Sequence, residues 1–194
     1  MQLIALVGAK RSGKTEVSKI LGWSGFKCIK FAQPLKDMIL SLPGITPDHV
    51  ETDLKDEACS VFNGKTTRHA MQTLGTEWGR NSIAPNIWLS LWKKRVKGLL
   101  LVTVDDCRFR NEAKTVRDLG GVVWEVARKD RVYEGHASET EMAKIKPDDI
   151  IDNNGSLYDL KLRVNTMLGA FTARDENMSD SGCRPNRIIE GQDA

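Results

Sequence analysis

Residues 3–15 read Leu-Ile-Ala-Leu-Val-Gly-Ala-Lys-Arg-Ser-Gly-Lys-Thr, an apolar run that ends in a glycine-framed loop. From Gly8 to Thr15 the loop fits G-x-x-x-x-G-K-[ST] at every fixed position. The chemistry asks for each of those residue types. Gly8 and Gly13 allow backbone turns at which a side chain would clash, so several N–H groups can face one concavity. Val17, Ile20 and Leu21 follow at helical spacing, which opens a helix N-terminus and its partial positive charge behind the loop. The Lys14 ammonium can reach the β- and γ-phosphates of a nucleotide, and the Thr15 hydroxyl can take a position on Mg²⁺. Gly8, Ala9, Lys10, Arg11, Ser12, Gly13, Lys14 and Thr15 are therefore the expected triphosphate site.

The rest of the chain alternates strand and helix signals. Phe26 to Phe31 is an expected second strand, and Pro34 opens a helix with Leu35, Met38, Ile39 and Leu42 on one stripe. Residues 43–66 hold short apolar groups among prolines and glycines, and predict an irregular or partly helical excursion. A helix from Thr66 or Thr67 to about Arg80 carries Met71, Leu74 and Trp78 on one line. Another, over about 86–97, buries Ile87, Trp88, Leu91 and Trp92. Leu99 to Val104 is apolar without alternation, as in a parallel strand covered on both faces. Val122 to Ala127 and Ile150-Ile151 supply two more strands. Ser156 caps a last helix with Leu157, Leu160, Val164 and Leu168 on one face and a stop at Gly169. The pattern predicts an α/β fold: a P-loop NTPase with a parallel sheet and helices on both faces. Beyond Phe171 the chain is poor in large apolar residues, so residues 172–194 are expected to be a disordered tail.

In such sheets ligands bind at the carboxyl ends of strands, where four polar signals should converge. They are the P-loop, Ala32 to Lys36, Asp105 to Phe109, and Arg128 to Arg131. Asp105-Asp106 either caps the next helix or holds Mg²⁺ and its water; Arg108 beside it suits a second phosphate group. Trp88 either packs or stacks on a base, and His136 reads as a solvated loop histidine rather than a base.

Composition narrows the classes. A net charge of +3 argues weakly for polyphosphate and not for nucleic acid, and Lys93-Lys94-Arg95 with Lys97 reads as a solvated helix face. The four cysteines lack metal-site or disulfide spacing, and no apolar run is long enough for a membrane span. With no leader expected ahead of the first strand, the expectation is a soluble protein of the cytoplasm.

Five blocks occur in order: Gly8 to Lys14; Arg68 with Met71-Gln72-Thr73-Leu74-Gly75-Thr76-Glu77; Asp106-Cys107-Arg108; His136-Ala137-Ser138-Glu139; and Ile150 to Leu157. Over most of residues 1–170 this series resembles the deoxynucleoside monophosphate kinases of bacteriophages, which would work in the host cytoplasm. The resemblance implies a nucleoside monophosphate kinase-like fold with a monophosphate-binding helical region, about 34–98, and a lid, about 128–139. It implies transfer from MgATP to a deoxynucleoside monophosphate, with ATP and Mg²⁺ required and no nucleic acid or membrane partner; a homodimer is left open. By position, Arg68 and Arg108 would hold the acceptor phosphate, with Gln72, Thr76 and Glu77 along its site. Lys36, Arg80, Trp88 and Glu139 complete the expected acceptor set. Asp106 would lie near the metal or sugar, with Thr15 as the other metal contact. Arg128 and Arg131 would act with Lys14 on the transferred group, and Asn153 would lie by the adenine. Thr15 departs from the Asp often found there in this family, and residues 37–67 do not align, so part of the base selectivity is expected in them. The alternatives are a P-loop kinase for another small acceptor such as dephospho-coenzyme A, and a nucleic-acid-dependent ATPase.

Overall fold

The computed structural model describes residues 1–129, 141–142 and 144–180. Its centre is β1 (Gln2–Val7), whose residues from Leu3 to Val7 are buried. Successive side chains of a strand point to opposite faces, and here each face has its own core. Leu3, Ala5 and Val7 join Trp92, Val102, Val104, Val116 and Val123; Ile4 and Leu6 join Val17, Leu21, Trp124, Ile151 and Val164.

β1 pairs in parallel with β3 (Leu101–Val104) on one side and β4 (Val122–Ala127) on the other. The short β2 (Lys27–Cys28) and β5 (Asp149–Asp152) complete a five-stranded parallel sheet in the order β2-β3-β1-β4-β5. Helices α1 (Lys14–Trp23) and α7 (Leu157–Asp180) serve the second core, and α5 (Ile87–Val96) and α6 (Arg110–Asp118) the first. Among the described residues no helix is long and apolar enough to cross a membrane.

Between β2 and α5 lies a helical region: α2 (Gln33–Leu40), α3 (Pro47–Glu51), two 3₁₀ turns at Asp53–Asp56 and Ser60–Phe62, and α4 (Thr67–Thr73). It owns a third apolar cluster around Ile39, Ile45, Val50 and Cys59. So residues 43–66, expected to be irregular or partly helical, are partly helical with a small core of their own. Helix α4 then continues as a π-helix over Leu74–Ile83.

Three expectations are corrected. The strand at 26–31 shrinks to two residues, because Phe31 leaves the sheet to stack near Trp92, with ring centroids 4.5 Å apart. Leu157 is 62% exposed rather than buried with Leu160 and Val164. The last helix also does not stop at Gly169 but runs on to Asp180, held at its start by reciprocal hydrogen bonds between Ser156 and Asp159. The rest of the expected tail, residues 181–194, lies outside the described residues.

Two glycines test this packing in opposite directions. A Cβ on Gly79 would sit 2.5 Å from the buried Trp88 ring, whereas one on Gly169 meets nothing within 4 Å. Gly79→Ala should cost about 1–3 kcal/mol and lower Tm by roughly 3–10 °C. Gly169→Ala should raise Tm by about 1–3 °C, because alanine favours a helix interior. Thermal melts of the two variants check both; a fall for Gly169→Ala would restore the helix stop.

Candidate active site

The P-loop crosses the carboxyl edge of the sheet between β1 and α1. Gly8 and Gly13 have φ of 141° and 110°. Neither has room for a side chain: a Cβ on Gly8 would lie 2.5 Å from the Val126 carbonyl oxygen, and one on Gly13 would strike the Asn153 amide. That amide donates to the Ser12 carbonyl at 2.7 Å, and the Asn153 backbone N–H donates to Ala127 at 2.8 Å. The loop is thus seated on the ends of β4 and β5. Lys14 Nζ donates to the carbonyls of Gly8 and Ala9 at 2.7 and 2.8 Å, folded over its own loop.

Two cavities flank this lysine. The first, about 390 Å³, is lined by Arg11, Gly13, Lys14, Thr15, Arg128 and Asn153, with Leu157 and Leu160 as its apolar floor. The second, about 450 Å³, lies between the sheet edge and the helical region. Lys14 and Thr15 line both. Each volume falls in the range of small-molecule sites.

Seven basic and four acidic side chains line the second cavity, so its field is positive. Of the expected acceptor residues it includes Lys36, Arg68, Gln72, Thr76, Arg80, Trp88, Asp106 and Arg108. The π-helix explains part of this gathering. Arg68, Gln72, Thr76 and Arg80 stand four apart, and each such step in an α-helix overshoots a turn by about 40°. π-winding, with bonds such as Ala84 N–H to the Gly79 carbonyl at 3.0 Å, falls short of a turn in four residues. The errors have opposite signs, so the four residues keep to the cavity.

Four of these cations are held by carboxylates. Glu51 bridges Lys36 at 2.7 Å and Lys30 at 3.2 Å, and Arg68 makes a two-pronged pair with Asp56. Burial works against the Lys30 charge, but Asp105 and Glu51 more than offset it and hold its pKa above the usual lysine value. The Arg80 guanidinium lies 4.1 Å from the Phe109 ring centroid and 3.4 Å from Glu112. Burial pushes the Glu112 carboxyl up to about 7.

Several expected residues are placed otherwise. Asp106 is a brace: its two oxygens accept from the backbone N–H groups of Phe31 and Ala32 at 2.8 and 3.0 Å. Burial still pushes its pKa up, against those two donors. Its neighbour Asp105 is 8% exposed and lines the cavity, with an Oδ1 that has no hydrogen-bond partner. Trp88 packs, 5% exposed, and its indole N–H donates to the Gly75 carbonyl at 2.7 Å. Glu77 is exposed and lines neither of these cavities, as does Lys10. Gly8, Ala9 and Ser12 frame the loop from beneath. Arg131, His136, Glu139 and most of the expected lid lie outside the described residues. Glu112, Lys30 and Phe109 were not expected; a glutamate three residues into the helix after the Asp105–Phe109 turn was the available signal for the first.

A model of the deoxynucleotide monophosphate kinase family matches residues 45–164, more than half of the chain. The chain belongs to the deoxynucleotide monophosphate kinase family. The matched span begins after the P-loop, Gly8–Thr15. The chain is also 30% identical over 168 residues to a protein of Acanthamoeba polyphaga mimivirus provisionally named a deoxynucleotide monophosphate kinase, covering 78% of this chain and 87% of that one. In fold it is similar to a gluconokinase from Sinorhizobium meliloti 1021, with a TM-score of 0.50 at 14% identity, over 94% of this chain and 98% of the other.

Kinases of this kind use Mg²⁺ with ATP, and the residues here fit such an ion. Thr15 offers a hydroxyl beside Lys14, and Asp105 offers the buried oxygen without a partner. Among the described residues no group of three or more His, Cys, Asp or Glu is placed to hold a metal ion. The two aspartates separate by test. Asp106→Asn should cost about 1–3 kcal/mol, because one buried N–H loses its acceptor. Asp105→Asn should leave Tm unchanged or raised and remove most ATP-dependent turnover. If Asp105→Asn melts lower and Asp106→Asn does not, the assignment is reversed.

Proposed function

We propose that the protein moves the γ-phosphoryl group of MgATP to the phosphate of a deoxynucleoside 5′-monophosphate, giving ADP and the diphosphate. The observation that carries this reading is the pair of cavities that share Lys14 and Thr15. A donor in the first and an acceptor in the second would meet at the lysine, which is the arrangement in-line transfer requires.

The acceptor phosphate is already anionic, so the step needs charge placed correctly and little proton chemistry. Lys14 would leave the Gly8 and Ala9 carbonyls to follow the transferred group, and Arg128 would approach it from the mouth of the donor cavity. Arg131, in the expected lid, would add a second guanidinium. Asn153 acts on the donor indirectly, by fixing the loop through Ser12, and Leu157 and Leu160 offer the apolar bed for the base. Arg108 and Arg68 would hold the acceptor phosphate, Arg68 by exchanging Asp56 for it. Gln72, Thr76 and Arg80 would line the nucleoside. Mg²⁺, when bound by Thr15 and Asp105, would offset the charge of the β- and γ-phosphates.

Incubation with MgATP and each deoxynucleoside monophosphate in turn should yield a diphosphate with at least one of them. ATP hydrolysis stimulated by single-stranded DNA, with no diphosphate formed from any nucleotide, would overturn the reading in favour of an ATPase. Lys14→Ala should remove about 3 kcal/mol or more of transition-state stabilisation, a loss on the order of 100-fold in turnover. Arg108→Lys should raise KM for the monophosphate while leaving KM for ATP within a few-fold, because lysine cannot restore a two-pronged phosphate contact. A rise in KM for ATP alone would place Arg108 on the wrong substrate.

A further inference from the structure

Glu112 is the third residue of α6, where a carboxylate can reach back to backbone donors ahead of the helix. Its Oε2 does so, accepting from the N–H groups of Arg108 and Phe109 at 2.8 and 3.1 Å. A cap requires nothing more. Yet the residue is 4% exposed, lines the acceptor cavity, and gives its second oxygen to Arg80 Nη2 at 3.4 Å. Arg80 in turn lies over the Phe109 ring. One carboxylate therefore fastens two stretches that share no strand: the turn after β3, which carries Arg108, and the π-helix of the helical region, which carries Arg80.

We propose that Glu112 is a positioning residue for the acceptor, holding Arg80 and the Arg108–Phe109 turn at the spacing that receives the monophosphate. The inference rests on the kinase reading above. Its electrical side follows from burial, which pushes the Glu112 carboxyl up to about 7, with Asp106 adding to that rise and the Arg108 and Phe109 N–H groups and Arg80 opposing it. A carboxylate is charged above its pKa, so the hold on Arg80 is half formed near 7, nearly complete about one pH unit above, and lost as pH falls below it. The groups facing Glu112 are Arg80 from the π-helix and Asp106, Cys107 and Arg108 from the turn. The arginines stay charged throughout, Cys107 stays a thiol because burial raises its pKa well above the usual value, and Asp106 is braced by Phe31 and Ala32.

The test is the pH dependence of KM for the monophosphate and for ATP between pH 6 and 8.5, in the wild type and in Glu112→Gln. Glutamine keeps a carbonyl oxygen for the backbone donors and loses the charge that holds Arg80. The ionised fraction of a carboxyl titrating near 7 falls about tenfold from pH 8 to pH 6. The wild-type KM for the monophosphate should therefore rise up to about tenfold more than the variant's over that range. At pH 8 the variant's KM should already be raised, with KM for ATP unmoved in both. The monophosphate's own titration near pH 6 is common to both enzymes and cancels in the comparison. Arg80→Gln provides a second route if Glu112→Gln folds poorly, and should flatten the profile in the same way. Parallel profiles in wild type and variants, with monophosphate turnover intact, would overturn this inference alone. A wild type with no monophosphate turnover at any pH would overturn the kinase reading and this inference with it.

Discussion

The structure depends on the close seating of the P-loop against the ends of β4 and β5. At Gly8 the Val126 carbonyl, and at Gly13 the Asn153 amide, occupy the space a side chain would need. The hydrogen bond from Asn153 to Ser12 then ties residues 141 apart in sequence, so the loop's shape rests on the far end of the sheet. Hydrophobic burial makes the sheet, and the sheet makes the phosphate site. That junction fixes the loop that carries Lys14.

The second cavity is built on a different principle. Its helices have their own small core, distinct from the two cores on the sheet. Polar links then span the boundary around the cavity: Asp106 to the Phe31–Ala32 backbone, Glu51 to Lys30, and Glu112 to Arg80. Polar links are directional and can exchange partners with an incoming anion, as close-packed apolar side chains cannot. A positive cavity with four of its cations already paired is also cheaper to keep than one of bare charges. On the proposed reading, phosphate binding would trade one carboxylate partner for another anion.

The sheet and the P-loop were legible in the sequence because each rests on local pattern. Leu3–Val7 is apolar without alternation because both faces are covered, and the loop's glycines and lysine are fixed by spacing. What could not be read is what depends on contacts between distant segments. Asp105 and Asp106 are adjacent and identical in type. Only the fold brings the Phe31 and Ala32 backbone onto one and leaves the other with an unpartnered oxygen. Trp88 looked equally able to stack or to pack, and Gly75 and Gly79 decided it by making room for its ring and accepting its N–H. The π-winding after Thr73 leaves no mark in apolar periodicity. Glu112 was hidden for the same reason: its sequence context announces a cap, and its second partner lies 32 residues away.

On the proposed reading, donor and acceptor occupy adjoining cavities that meet at Lys14. The most direct measurement is titration calorimetry with a bisubstrate analogue, an adenosine joined to a deoxynucleoside through a chain of phosphates. Linking two ligands that occupy neighbouring sites turns the second binding event into an intramolecular one and raises the affinity by up to about 10²–10⁴. One analogue should bind per chain, far more tightly than ATP or the monophosphate, displaced by either, and sensitive to phosphate-chain length. An analogue that binds no more tightly than ATP at every length, or that excess monophosphate never displaces, would contradict it.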